Sequence, residues 1–173
     1  MQMLLPVVLV LLSIGLASLV RLWPRGREFS FSQHAAVNRS ATIYYAVLFL
    51  ITMPLLVAYF VLWLQPEFDV ATLFVVCITL AAVLQIACTF FPEKGRWVTL
   101  HRWLAGLSAV LFIPSLALLI PLAKGIAVGG IIVMLIVAGI IARDKKKRVP
   151  YALQLVYYAA FFIPVVWMTY MLQ

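Results

Sequence analysis

The chain has 173 residues, of which 66% are hydrophobic and 10% charged, with a mean hydropathy of +1.15. Soluble domains carry about 25% charged residues, so a soluble globular class is excluded. The net charge of +8 does not point to nucleic acid, because the basic residues sit in short clusters between apolar runs of about 20 residues, the length that spans a ~30 Å hydrocarbon core.

The pattern predicts one all-α domain over residues 1–173, a bundle of six transmembrane helices in a bacterial-type plasma membrane. The first span covers residues 4–22 and reads as an uncleaved helix, since no basic n-region precedes it. Trp23-Pro24 closes it at an interface, and Phe29 and Phe31 alternate with serines in a surface-lying strip. Ser32 is the expected N-cap of a second helix that begins near Gln33 and spans the membrane over 43–64. Gln65, Pro66, Glu67, Phe68 and Asp69 form an acidic tight turn before the third helix, 70–90.

The central loop, Phe91-Pro92-Glu93-Lys94-Gly95-Arg96, leads to a fourth helix capped by Thr99 and ending near Pro121. Ala123-Lys124-Gly125 is a minimal turn. The fifth helix, 126–142, is rich in glycine, and Gly125-x-x-x-Gly129 fits the small-residue packing motif. After the basic run 143–148, Pro150 opens the sixth helix at a first helical position. Cys77 and Cys88 share the third helix, where eleven residues at ~1.5 Å each hold them about 16 Å apart, beyond a disulfide's reach.

Of the thirteen basic residues, only Lys124 lies outside the first, third and fifth connections. By the positive-inside rule those connections are cytoplasmic and both termini lie outside. The second, fourth and sixth helices also share a pattern: Tyr45-Ala-Val-Leu-Phe, Ser108-Ala-Val-Leu-Phe and Tyr158-Ala-Ala-Phe-Phe, each followed by a proline, Pro54, Pro114 or Pro164. A helical hairpin used three times gives such a pattern; so does chance among residues this abundant. Each proline kinks its helix and frees a carbonyl, near Leu50, Val110 and Ala160, that must be satisfied inside the bundle. The kinks are therefore expected to face the interior and to leave a small cavity.

Few residues carry chemistry. His34 and His101 each open an outward-going helix, where the positive end of the helix dipole favours a neutral ring. Such a ring binds metal, moves a proton or accepts a hydrogen bond, or it simply reaches for water at the interface. If the two share an anion, they lie within roughly 10 Å of each other, since helix N-termini attract anions. Glu93 beside Lys94 and Arg96 reads as a solvated ion pair. Gln85 and Gln154 are polar groups inside spans, best explained by hydrogen bonds between helices. No Gly-x-Ser-x-Gly elbow occurs, and two histidines without an acidic residue in any span do not make a metal-hydrolase ligand set. No cofactor or metal is expected. The run 143–148 attracts anionic lipid at about 1 kcal/mol per basic residue, or serves only to set topology.

The junction Phe91-Pro92-Glu93 with His101 eight residues further on resembles the Phe-Pro…His junction of small six-helix membrane proteins in the DRAM/Sfk-like superfamily and its uncharacterised bacterial relatives. The resemblance covers about the middle third of the chain and singles out Pro92 and His101. It implies a six-helix bundle with lipid-related roles and transfers no catalytic residues.

The preferred function is therefore non-enzymatic binding of a lipid or another amphiphile at the cytoplasmic face. His34, Asn38, Arg39, Arg96, His101 and Arg102 supply contacts to an anionic headgroup, because imidazoles and arginine forks suit phosphate oxygens. Two alternatives stand beside it: an integral-membrane redox or hydrolytic enzyme using His34 and His101, and a subunit or assembly factor with a membrane-protein partner or a second copy.

Overall fold

The computed structural model describes residues 1–143 and 149–172. Its helices are α1 (Leu4–Leu22), α2 (Phe31–Ala35), α3 (Arg39–Tyr59), α4 (Gln65–Phe68), α5 (Thr72–Phe90), α6 (Val98–Leu118), α7 (Ile120–Arg143) and α8 (Tyr151–Met171). A π-helical turn, Phe60–Leu64, makes α3 and α4 one continuous element, and a 3₁₀ turn, Gly95–Trp97, precedes α6. Six of the resulting segments are long and apolar enough to cross a membrane. The expected basic cluster at 143–148 lies, apart from Arg143, outside the described residues.

Neighbours in sequence are neighbours in space: α1 packs on α3, α3 on α5, α5 on α6, α6 on α7 and α7 on α8, whereas α6 and α8 meet only over a short stretch. Polar side chains lock several of these seams. The Ser108 hydroxyl of α6 donates to the Ala81 carbonyl of α5 at 2.8 Å, and the Tyr44 hydroxyl of α3 donates to Gly15 of α1 at 3.1 Å. The π turn widens the helix by one residue, so that the consecutive side chains Tyr59 and Phe60 both reach the interior. Tyr59 bonds the Thr169 hydroxyl, and Phe60 sets its ring edge-on to Phe74.

The first connection, the central loop and the start of α8 converge at one end. Glu93 of the central loop bonds Ser30 and Ser32 of the first connection, and the backbone N–H of Tyr151, opening α8, donates to Phe29 at 3.1 Å. Both ends of the chain also meet, since Gln2 donates its side-chain amide to the Thr169 carbonyl.

Several expectations are corrected. The cap of the first connection is Ser30, not Ser32: its hydroxyl accepts from the Gln33 N–H while the Gln33 amide oxygen accepts from the Ser30 N–H, a complete capping box. The helix then breaks, and Asn38 caps α3 by accepting from the Ala41 N–H at 2.9 Å. Thr99 caps nothing, because the 3₁₀ turn already leads the chain into α6. Gln65 to Phe68 is helical rather than a turn. The π turn resets the hydrogen-bond register, so Pro66 falls in a first turn where its missing N–H costs nothing, and the chain reverses at Asp69 in the left-handed region (φ 49°). The turn expected at Ala123-Lys124-Gly125 is present as a break inside α7, with Lys124 at φ 43°, ψ −127°.

The prolines do not share a face. Pro164 is buried, whereas Pro54 and Pro114 are exposed on the outer surface. The kinks therefore do not line a common interior, and the three hairpins are not equivalent in packing. The glycine motif is also displaced. A Cβ on Gly125 or Gly129 would meet nothing within 4 Å, but on Gly130 it would stand 2.4 Å from the Ala160 carbonyl oxygen. That carbonyl is the one Pro164 frees, and the close approach of Gly130 is what seats α7 on α8.

Candidate functional site

A cavity of about 490 Å³ lies at the basic end, among α2, α3, α5, α6, α7 and α8. Small residues leave the room for it. Ala105, Gly106 and Ala109 line it from one face of α6, and Ala138 and Ala142 from one face of α7. Its remaining walls are largely apolar, with Leu16, Phe31, Phe49, Ile113 and Ile141 among them. Gly106, Val110, Ala138 and Ala142 line the cavity and are exposed, so it is open rather than sealed along its α6 and α7 walls.

The other end is polar and is built around Glu93, whose side chain is only 8% exposed. One carboxylate oxygen accepts from Ser30 Oγ at 3.1 Å and Ser32 Oγ at 2.8 Å; the other accepts from Gln33 Nε2 at 3.3 Å and Arg102 Nε at 2.9 Å. Four donors satisfy this acid, so it is not the solvated surface pair its neighbours in sequence predict. On its far side Glu93 also lines a shallow pocket of about 180 Å³ with Arg25, Ala36, Val37 and Lys94.

His101 is buried, at 3% exposure, and lines the cavity. Its Nδ1 lies 2.7 Å from the Phe91 carbonyl and 3.0 Å from that of Cys88. Carbonyls only accept, so Nδ1 carries the hydrogen and Nε2 is the ring nitrogen left over. Both carbonyls lie at the C-terminal end of α5, where that of Cys88 also accepts from the Phe91 N–H at 3.2 Å. The junction thus has a physical meaning: Pro92 follows the helix end, and the imidazole from the first turn of α6 caps it.

Four of the expected site residues meet at this cavity. Beside His101 and Arg102, Gln154 lines it and accepts from the Phe31 N–H at 3.1 Å, which satisfies a first-turn donor of α2. Gln85 lines it deeper in, next to the Tyr45 hydroxyl. His34, Asn38, Arg39 and Arg96 do not line it. His34 is 1% exposed, donates Nδ1–H to the Trp23 carbonyl at 2.8 Å and sets its ring edge-on to Tyr151; its Nε2 has no hydrogen-bond partner among the described residues. Asn38 is spent on its cap. Arg39 points outward, and Arg96 lies over the Trp97 ring at 4.6 Å.

Sequence reasoning missed Ser30, Ser32, Glu93, Tyr45, Tyr157 and Tyr158 as lining residues. It also missed the small-residue faces Ala105-x-x-x-Ala109 and Ala138-x-x-x-Ala142, because such spacing ordinarily marks close packing rather than a void. Among the described residues no group of three His, Cys, Asp or Glu is placed to hold a metal ion.

Compared with known protein families, curated proteins and solved structures, the chain matches none. Its resemblance to the DRAM/Sfk-like superfamily therefore stands on the Phe91–His101 junction alone.

Proposed function

We propose that this chain is an integral membrane protein that binds a lipid or similar amphiphile, with both termini outside and the basic connections in the cytoplasm. The observation that carries this reading is the cavity: polar at the basic end, apolar along its walls and open on the side of α6 and α7. Its volume falls within the ~300–1,000 Å³ of small-ligand sites, which are mostly apolar with a few placed polar groups. A molecule with its head at Arg102 and His101 and its chain running past Ala109 and Ile113 would leave through the side opening into the hydrocarbon of the inner leaflet. The resemblance of the central junction to a superfamily with lipid-related roles agrees with this.

The test is to fill the opening. A Cβ at Gly106 meets nothing within 4 Å, so a larger side chain there can start without a backbone clash, and Gly106→Trp should occupy the cavity from its α6 wall. The native protein, purified in mild detergent, is expected to retain lipid in native mass spectra, and Gly106→Trp to lose about tenfold or more of it, since ~1.4 kcal/mol of lost contact suffices for that. Equal retention by both proteins would show that bound lipid sits elsewhere.

A further inference from the structure

The polar end of the cavity has an uneven supply of hydrogen-bonding groups. Glu93 already accepts from four donors, and the oxygen of Gln154 is taken by the Phe31 N–H. The Ser30 and Ser32 hydroxyls are turned to Glu93. What remains for a ligand is mainly donors: the two Nη groups of Arg102, which no described residue engages, and the amide nitrogen of Gln154. The exception is His101. Both carbonyls hold the Nδ1 hydrogen, so in the tautomer they select it is Nε2 that offers a lone pair to whatever enters. An occupant that covered this acceptor without bringing a donor would have to bear its desolvation penalty.

We infer that the occupant's head brings an O–H or N–H donor alongside its phosphate oxygens, the donor to His101 Nε2 and the oxygens to Arg102. This rests on the amphiphile reading above and narrows it. Ethanolamine and glycerol heads meet the requirement. A choline head, whose nitrogen is fully methylated, does not.

Two lipid pairs separate this requirement from charge. Phosphatidylethanolamine and phosphatidylcholine are both zwitterionic; phosphatidylglycerol and phosphatidylmethanol are both anionic; in each pair only the first carries the donor. Detergent-solubilised full-length protein is offered each pair in equimolar amounts with matched acyl chains, and bound lipid is counted by native mass spectrometry. The expected result is about fivefold preference for the donor-bearing member of each pair, the ratio one ordinary hydrogen bond supplies.

His101→Asn is the informative variant. Its amide nitrogen can take the place of Nδ1 toward Phe91 and Cys88, but nothing replaces Nε2, so both ratios should fall to about one while total binding persists. Equal retention within each pair by the native protein overturns the inference and leaves the amphiphile reading standing, as does a preference that survives in His101→Asn. No retained lipid from either pair overturns both. If His101→Asn does not fold, ¹⁵N-histidine spectra of the native protein decide: the His101 Nε2 resonance should move on adding phosphatidylethanolamine and stay in place with phosphatidylcholine, and equal shifts refute the donor requirement.

Discussion

A carboxylate with 8% exposure and four donors behaves differently from one in a surface pair, and Glu93 can be tested on that difference. Removing the acceptor leaves two serine hydroxyls, an amide and a guanidinium without it. Breaking a buried pair costs about 3–5 kcal/mol; Arg102 is 40% exposed, so solvent screening places Glu93→Ala at the lower end, about 3 kcal/mol. Glu93→Gln keeps the shape and one acceptor and loses the charge that roughly doubles each bond, so it should cost about 1 kcal/mol. Thermal unfolding in detergent should rank native, Gln and Ala in that order; three coincident melting curves would return Glu93 to the solvated role its sequence neighbours predict. The residue was legible as the lone acid of the central loop. Its burial was not, because Ser30 and Ser32 stand more than sixty positions away and no local pattern announces a contact of that range. His101 was more legible, since its place in a first turn follows from the loop before it.

For a helix, the sequence shows where a kink or a close approach is possible but not which way it faces. These spans are apolar around their whole circumference, so no polar stripe marks the outer side. That is why Pro54 and Pro114 were expected inside and lie outside, and why Gly125 and Gly129 were chosen over Gly130. The contact of Gly130 with the Ala160 carbonyl and Pro164 gives the sharpest check at this scale. Gly130→Ala forces α7 away from α8 and should destabilise by about 1–3 kcal/mol, the usual cost of overpacking. Gly129→Ala and Gly139→Ala, which meet nothing, should be neutral or gain up to about 1 kcal/mol from helix propensity. Equal melting temperatures for the alanine variants at 129 and 130 would mean the two helices do not approach as described.

The whole molecule was the most legible level, because hydropathy and length respond to the same constraint that folds it: backbone polar groups in hydrocarbon must pair within their own helix. Six segments and the break at Lys124 follow from that. The cavity does not follow, since it depends on how far α6 and α8 stand apart, which is set by tertiary packing. Orientation gives the last prediction. Lys94 sits in the central loop, at the end where Glu93 meets Ser30 and Ser32, and is exposed; Glu67 in α4 and Lys124 in α7 are exposed as well. Cys77 and Cys88 are both buried, so a cysteine placed at any of the three positions reports against a low background. On the proposed orientation, which the positive-inside rule draws from the twelve basic residues of the first, third and fifth connections, an impermeant maleimide should label Glu67→Cys and Lys124→Cys in intact cells and reach Lys94→Cys only after permeabilisation. Labelling of Lys94→Cys from outside, with protection at 67 and 124, would invert the molecule. The polar end of the cavity would then face the outer leaflet, and the bound head would have to come from there.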